Sequence, residues 1–389
     1  MFLNSLRKSV LFVAVIVVSA SCSSLKTSPT SRKLVFEKEW VRQTTETEFT
    51  GYRRMNRMSP LLLEQIIVQG NSIDGLVAYS RKTAAEVWRL KLENGVEGGV
   101  AASGNRLFFG SSDGQFYAVD MVSGKILWSF PARAETLAAP SVENNVVYFE
   151  SAADVIYALD AASGKLLWTY NRQTTTSLSI RSTTTPTIAG DKLLVGFSDG
   201  YVVALKKSDG TLVWERKLGT QGRFRDVDST PVVNGSVLYT SSFDGALFAL
   251  KVESGEVVWQ VDRGGFTPVT VQGDRVYMSS SDGQLMALDK GSGKTVWFKN
   301  IKRGISTQPV FFKNFLIYGE TEGNLVAADA NTGEPVAEFS PGRGLIAQPS
   351  VDENTGRIYF VSNNANLFAV KLNYIRPNYL LPWQKEQKL

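Results

Sequence analysis

The chain has 389 residues, 43% of them hydrophobic and 20% charged, with a formal net charge of +5. That balance belongs to a globular chain, and the small, dispersed charge gives no case for nucleic-acid binding. The chain has no histidine and one cysteine, Cys22. The usual general base and the commonest metal ligand are therefore missing, and no intrachain disulfide can form.

Arg7 and Lys8 precede an apolar run from Val10 to Ala20, the size of a signal-peptide core and too short to span a bilayer. Ser19, Ala20 and Ser21 lead into Cys22. The arrangement resembles a bacterial lipoprotein signal, although Ser19 stands where that family prefers leucine. The resemblance implies that residues 1–21 are removed and that Cys22 is acylated, palmitate among the chains. Several acyl chains, at ~0.8 kcal/mol per buried CH2, hold a membrane where one does not. The alternative is an ordinary secretory signal with an incidental cysteine. Ser23 after the cysteine resembles an outer-membrane address. Residues 22–33, rich in Ser, Thr, Pro and Lys, read as a flexible tether. Without residues 1–21 the net charge falls to +3.

From residue 34 to residue 372 the chain repeats itself. Tryptophans close successive units at Trp88, Trp128, Trp168, Trp214, Trp259 and Trp297, at spacings of 40, 40, 46, 45 and 38 residues. Each unit carries four short β-rich runs. One runs from Pro140 through Val142, then Val146–Phe149, then Ile156–Asp160, then Leu166–Trp168 after the Ser163-Gly164 turn. Four-stranded antiparallel units of this period, arranged radially, make an all-β propeller, here of eight blades. The eighth unit ends at Asn366–Lys371 without a fourth strand, while Leu34–Trp40 is an orphan strand ending in tryptophan. We therefore expect this N-terminal strand to complete the last blade and close the ring, removing the open edges of a linear array. Asp154 replaces the turn glycine in the third unit and Ala337 replaces the tryptophan in the seventh. The tryptophans read as packing between blades, because identical positions around a ring cannot all stack one cofactor. Residues 373–389 lie beyond the repeats.

Two spacings depart from the period. Trp168 to Pro186 and Trp214 to Pro231 are five or six residues longer than Trp128 to Pro140. The insertions occupy the same point of successive repeats, so they are expected side by side on one face, where lengthened loops usually carry function. The first holds Leu178, Ile180 and Arg181, the second Asp226 and Asp228. Residues two apart in an extended segment share a side, so Leu178 with Ile180 and Asp226 with Asp228 would make an apolar anchor and a charged rim. Turn capping by the two aspartates and packing of Leu178 and Ile180 onto a blade are the plainer alternatives. Two carboxylates are too few for calcium, which takes six to eight oxygens.

The Ala-x-Asp-x-x-[Ser/Thr]-Gly-x-x-x-Trp pattern resembles the repeat of pyrroloquinoline quinone (PQQ) dehydrogenases. That resemblance implies an alternative function as a PQQ-dependent periplasmic dehydrogenase. This chain is much shorter, lacks an adjacent cysteine pair and shows no acidic cluster suited to calcium. The repeat specifies the blade and not the reaction. The other resemblance is to the BamB family of outer-membrane assembly factors, lipoprotein propellers of eight such blades. It implies a non-catalytic scaffold without cofactor, lipid-anchored on the periplasmic side of the outer membrane. It also implies docking on a POTRA domain of BamA, the barrel-forming subunit, and through it on the other lipoproteins of the machinery and on nascent outer-membrane proteins. On that resemblance Leu178, Ile180, Arg181, Asp226 and Asp228 match the contacting positions; Ile180 stands for a leucine and Ser182-Thr183 for Gly-Glu.

Overall fold

The computed structural model describes residues 32–46, 56–172, 184–218, 226–227, 229–243 and 245–375. These form 32 strands in eight four-stranded antiparallel sheets arranged as a closed ring, the expected eight-bladed propeller. Blades 1 to 7 span residues 61–91, 101–131, 141–171, 187–217, 232–261, 270–300 and 310–339. Blade 8 pairs Ser350–Asp352, Arg357–Val361 and Asn366–Ile375 with the N-terminal strand Lys33–Gln43 on its outer edge. The orphan strand does close the ring. The strand that ends blade 8 runs to Ile375, three residues past the expected limit of the repeats.

The core is divided among the blade junctions. Among the described residues eight clusters of buried side chains form, each shared by two neighbouring blades. Alternation along the strands produces this. In Lys192–Gly196, Leu193 and Val195 face Tyr148 and Ile156 of blade 3, while Leu194 between them faces Leu238 and Phe248 of blade 5. Central strands are thus buried on both faces and read as unbroken apolar runs. Each fully buried side chain contributes ~1.5–3 kcal/mol before entropy is counted, so no blade is stable without its neighbours.

The repeat motif describes a joint between blades. In six blades the tryptophan indole N–H donates to a carbonyl in the next blade: Trp88 to Met121, Trp128 to Ala161, Trp168 to Lys207, Trp214 to Val252, Trp259 to Lys290 and Trp297 to Ala330, at 2.9–3.2 Å. The ring then lies on the turn glycine of that next blade. A Cβ on Gly124, Gly164, Gly210, Gly255, Gly293 or Gly333 would stand 2.6–2.7 Å from the preceding tryptophan. The motif alanine has a matching reason. Ala158 lies in register between Tyr148 and Trp168, whose rings meet at 5.9 Å, and a larger residue would separate them.

The degenerate tryptophan position follows from the same joint. Ala337 faces blade 8, whose third and fourth strands come from opposite ends of the chain and share no turn. The turn glycine on which a tryptophan would rest does not exist there, and Leu34 and Phe36 of the closing strand pack in its place. In blades 1 to 7 the pairing of third and fourth strands slips after the motif alanine, as between Ala158 and Leu159. Such bulges twist the outer edge away from further pairing. Hydroxyls join the innermost strands: Thr187 Oγ1 donates to the Pro231 carbonyl and Ser350 Oγ to that of Pro60, each at 2.6 Å. Ser141 to Pro186 and Thr270 to Pro309 repeat the contact.

Candidate functional site: paired insertions beside an axial cavity

Each insertion joins the outer strand of one blade to the innermost strand of the next. That connection opens on the same face as the turns between second and third strands. The main chain shows this directly: the Arg172 N–H donates to the Asp154 carbonyl and the Leu218 N–H to that of Gly200.

The first insertion is held at both ends. Arg172 ends blade 3, and its guanidinium donates to Asp199 at 2.5 Å and to Glu215 at 2.7 Å, both in blade 4. It also lies 4.3 Å from the centre of the Tyr201 ring. Burial alone would lower the Arg172 pKa; the carboxylates of Glu215 and Asp199 outweigh it and hold that pKa above its ordinary value. At the far end, the Thr184 N–H donates to the buried Glu150 carboxylate at 2.8 Å. Glu150 occupies the place of Gly110 and Gly196 in neighbouring blades, so an acid replaces a glycine where the lengthened loop must be tied down.

The second insertion is anchored beside the first. The Thr185 N–H donates to Thr230 Oγ1 at 3.1 Å, which joins the roots of the two loops. The Val227 N–H donates to the Phe197 carbonyl at 3.1 Å, and the Val227 side chain, 2% exposed, enters the cluster between blades 4 and 5. The expected adjacency of the insertions therefore holds at their roots.

Of the residues singled out from the sequence, Asp226 is described. It is 1% exposed, and its carbonyl accepts the Phe243 N–H at 3.2 Å. It does not stand on an exposed rim. The chain passes between the second-to-third turns of blades 4 and 5 at this point, and the core packing of Val227 draws its neighbour inward. Leu178, Ile180, Arg181 and Asp228 lie outside the described residues, as does Cys22. Arg172, Glu150, Thr185 and Thr230 were not singled out from the sequence. Arg172 and Thr184 flank an insertion, which was the signal available.

On the same face an axial cavity of about 920 Å³ is lined mainly by the segments that lead into the innermost strands of the eight blades. Its wall is mainly apolar, with Leu61, Val100, Leu137, Val232, Ile305 and Ile346 around it and the Phe243–Phe266 pair at 6.2 Å. Thr185 and Thr230, the joined roots, are part of that wall. The PQQ of the dehydrogenases is a planar tricarboxylate used with calcium. Among the described residues the lining supplies one cation, Arg57, and one carboxylate, Glu322. Among the described residues no group of three or more Cys, Asp or Glu is placed to hold a metal ion. The described part of the lining does not fit that cofactor.

A family model described as outer membrane protein assembly factor BamB matches residues 74–299 and 282–373. The assembly factor BamB of Escherichia coli (strain K12) is 34% identical over 183 residues, 44% of this chain and 46% of that protein. That of Moranella endobia is 29% identical over 283 residues, 71% of this chain and 72% of that protein. The matches to the Yersinia pestis and Escherichia coli proteins span about half of their length. The crystal structure of BamB from Moraxella catarrhalis superposes with a TM-score of 0.73 at 23% identity, covering 84% of this chain and 99% of that one. A quinohemoprotein alcohol dehydrogenase from Comamonas testosteroni superposes at 0.70 with 15% identity, covering 86% and 76%. At such identities both superpositions speak for the fold alone. The match of the family model across most of the repeats decides between the two: this chain belongs to the BamB family of outer membrane protein assembly factors.

Proposed function

We infer that this protein is a non-catalytic scaffold of the outer-membrane β-barrel assembly machinery. Acylated at Cys22, it sits on the periplasmic side of the outer membrane and docks on a POTRA domain of BamA. The observation that carries the reading is the pair of lengthened loops whose roots are bonded to each other through Thr185 and Thr230 on a rigid ring. Loops of this kind, held at their ends and displayed by a stiff scaffold, suit recognition of a protein partner. Leu178 and Ile180 supply the apolar anchor, and Arg181 and Asp228 the charged rim. Asp226, being buried, would act by shaping the second loop from within.

Co-purification from detergent-solubilised membranes tests this. Arg181→Glu combined with Asp228→Lys is expected to abolish the BamA band, while Asp226→Asn weakens it only as far as it loosens the loop. A BamA band of wild-type strength from the double variant would sink the residue assignment. Absence of that band with the wild-type protein would sink the function.

A further inference from the structure

We propose that the axial cavity receives an uncharged stretch of extended polypeptide bearing apolar side chains, of the kind a transmembrane β-strand presents before insertion. The proposal rests on the scaffold reading above and names the substrate it would handle. Size comes first. At about 920 Å³ the cavity lies near the top of the range of small-molecule pockets and has room for a few residues of chain.

Wall chemistry comes second. Among the described residues, apolar side chains line the cavity on all sides, with Phe243 and Phe266 as an aromatic pair, and they suit apolar side chains and disfavour charged ones. A peptide also brings amides that need partners. Gln348 stands in the wall and carries both a donor and an acceptor for them. Continuity comes third. Thr185 and Thr230 belong at once to the cavity wall and to the roots of the two insertions, so a chain delivered to the docking face meets the cavity there.

The test uses the intact protein and a fluorescein-labelled peptide of roughly eight residues that alternates Phe or Leu with Ser or Thr. Binding is read by anisotropy. Ala138→Trp fills the cavity from its wall, and Gln348→Glu places a charge in it without changing size. Each is expected to weaken peptide binding roughly tenfold or more while leaving the β-sheet circular dichroism and the unfolding midpoint in place. A control peptide with Glu and Lys at the apolar positions is expected not to bind. Wild-type affinity in both variants, equal binding of the charged peptide, or no binding to the wild-type protein would each overturn the proposal. BamA capture is read on the same proteins. With the wild-type protein, BamA capture without peptide binding overturns the cavity proposal alone, and peptide binding without capture overturns the docking reading; in the two cavity variants capture is expected to persist.

Discussion

Replacing Gly124 by alanine tests the joint between blades 1 and 2. Two costs add. Gly124 has φ of +68°, a conformation that costs an alanine ~1–2 kcal/mol. Its new Cβ would stand 2.6 Å from Cε3 of Trp88, which is 8% exposed and tied to the Met121 carbonyl at 3.0 Å. The ring has little freedom to retreat, and such overpacking costs ~1–3 kcal/mol. The variant should lose ~2–5 kcal/mol in urea unfolding followed by tryptophan fluorescence. Trp88→Leu removes the ring, so in that background Gly124→Ala should cost only the backbone part. The double-mutant cycle should then yield a coupling equal to the overpacking part, ~1–3 kcal/mol. Equal cost in both backgrounds would refute the account of the motif.

The other predictions concern the closure and the loop anchors. Ala84 holds the same turn position in blade 1 at φ of +56° and is 3% exposed. In Ala84→Gly the relief of ~1–2 kcal/mol is offset by a lost methyl and by a freer unfolded chain, so its urea midpoint should stay within ~1 kcal/mol of wild type. Deleting residues 33–40 removes Leu34, Phe36 and Trp40 from two junctions and should lower the thermal midpoint of the whole ring; an unchanged midpoint would show that closure is dispensable. Burial would raise the pKa of Asp352, but hydrogen bonds from Thr355 and Arg81 outweigh it and lower it. Glu39 is likewise lowered by Lys371 and Arg357 against burial. Carboxylates with depressed pKa values stabilise the fold above their unfolded values, and that stability is lost as pH falls through the folded ones. Below about pH 4 blade 8 and its seam with blade 1 should therefore weaken, and Asp352→Asn with Glu39→Gln should flatten the dependence of the urea midpoint on pH. Arg172→Met frees Asp199 and Glu215 at the base of the first insertion and should weaken BamA capture several-fold at nearly unchanged thermal midpoint; intact capture would deny Arg172 a positioning role.

What could be read from the chain was periodic. The tryptophan spacing located the blades, the orphan run ending at Trp40 located the closure, and two long intervals located the insertions. Packing of the tryptophans between blades was legible too, but the partner of each was not, because these contacts join residues roughly 30–60 positions apart. The Gly124–Trp88 contact is an example: the glycine serves the tryptophan of the blade before it, not the one four residues on in its own motif. In the sequence Ala337 is only a replaced tryptophan; in the structure it answers the missing turn of blade 8. Asp226 was placed with Asp228 by a two-residue alternation that holds for extended strands. In a loop threaded between two turns, core packing of Val227 sets the direction, and the aspartate is buried.

Site-specific photo-crosslinking tests the central claim, that the paired insertions form the face that meets BamA, most directly. A photoreactive residue at position 180, in living cells, is expected to crosslink to BamA. The same residue at Val258, exposed on the outer strand of blade 5, is expected not to. A BamA adduct from position 258 as strong as that from 180, or no adduct from 180 at all, would contradict the account.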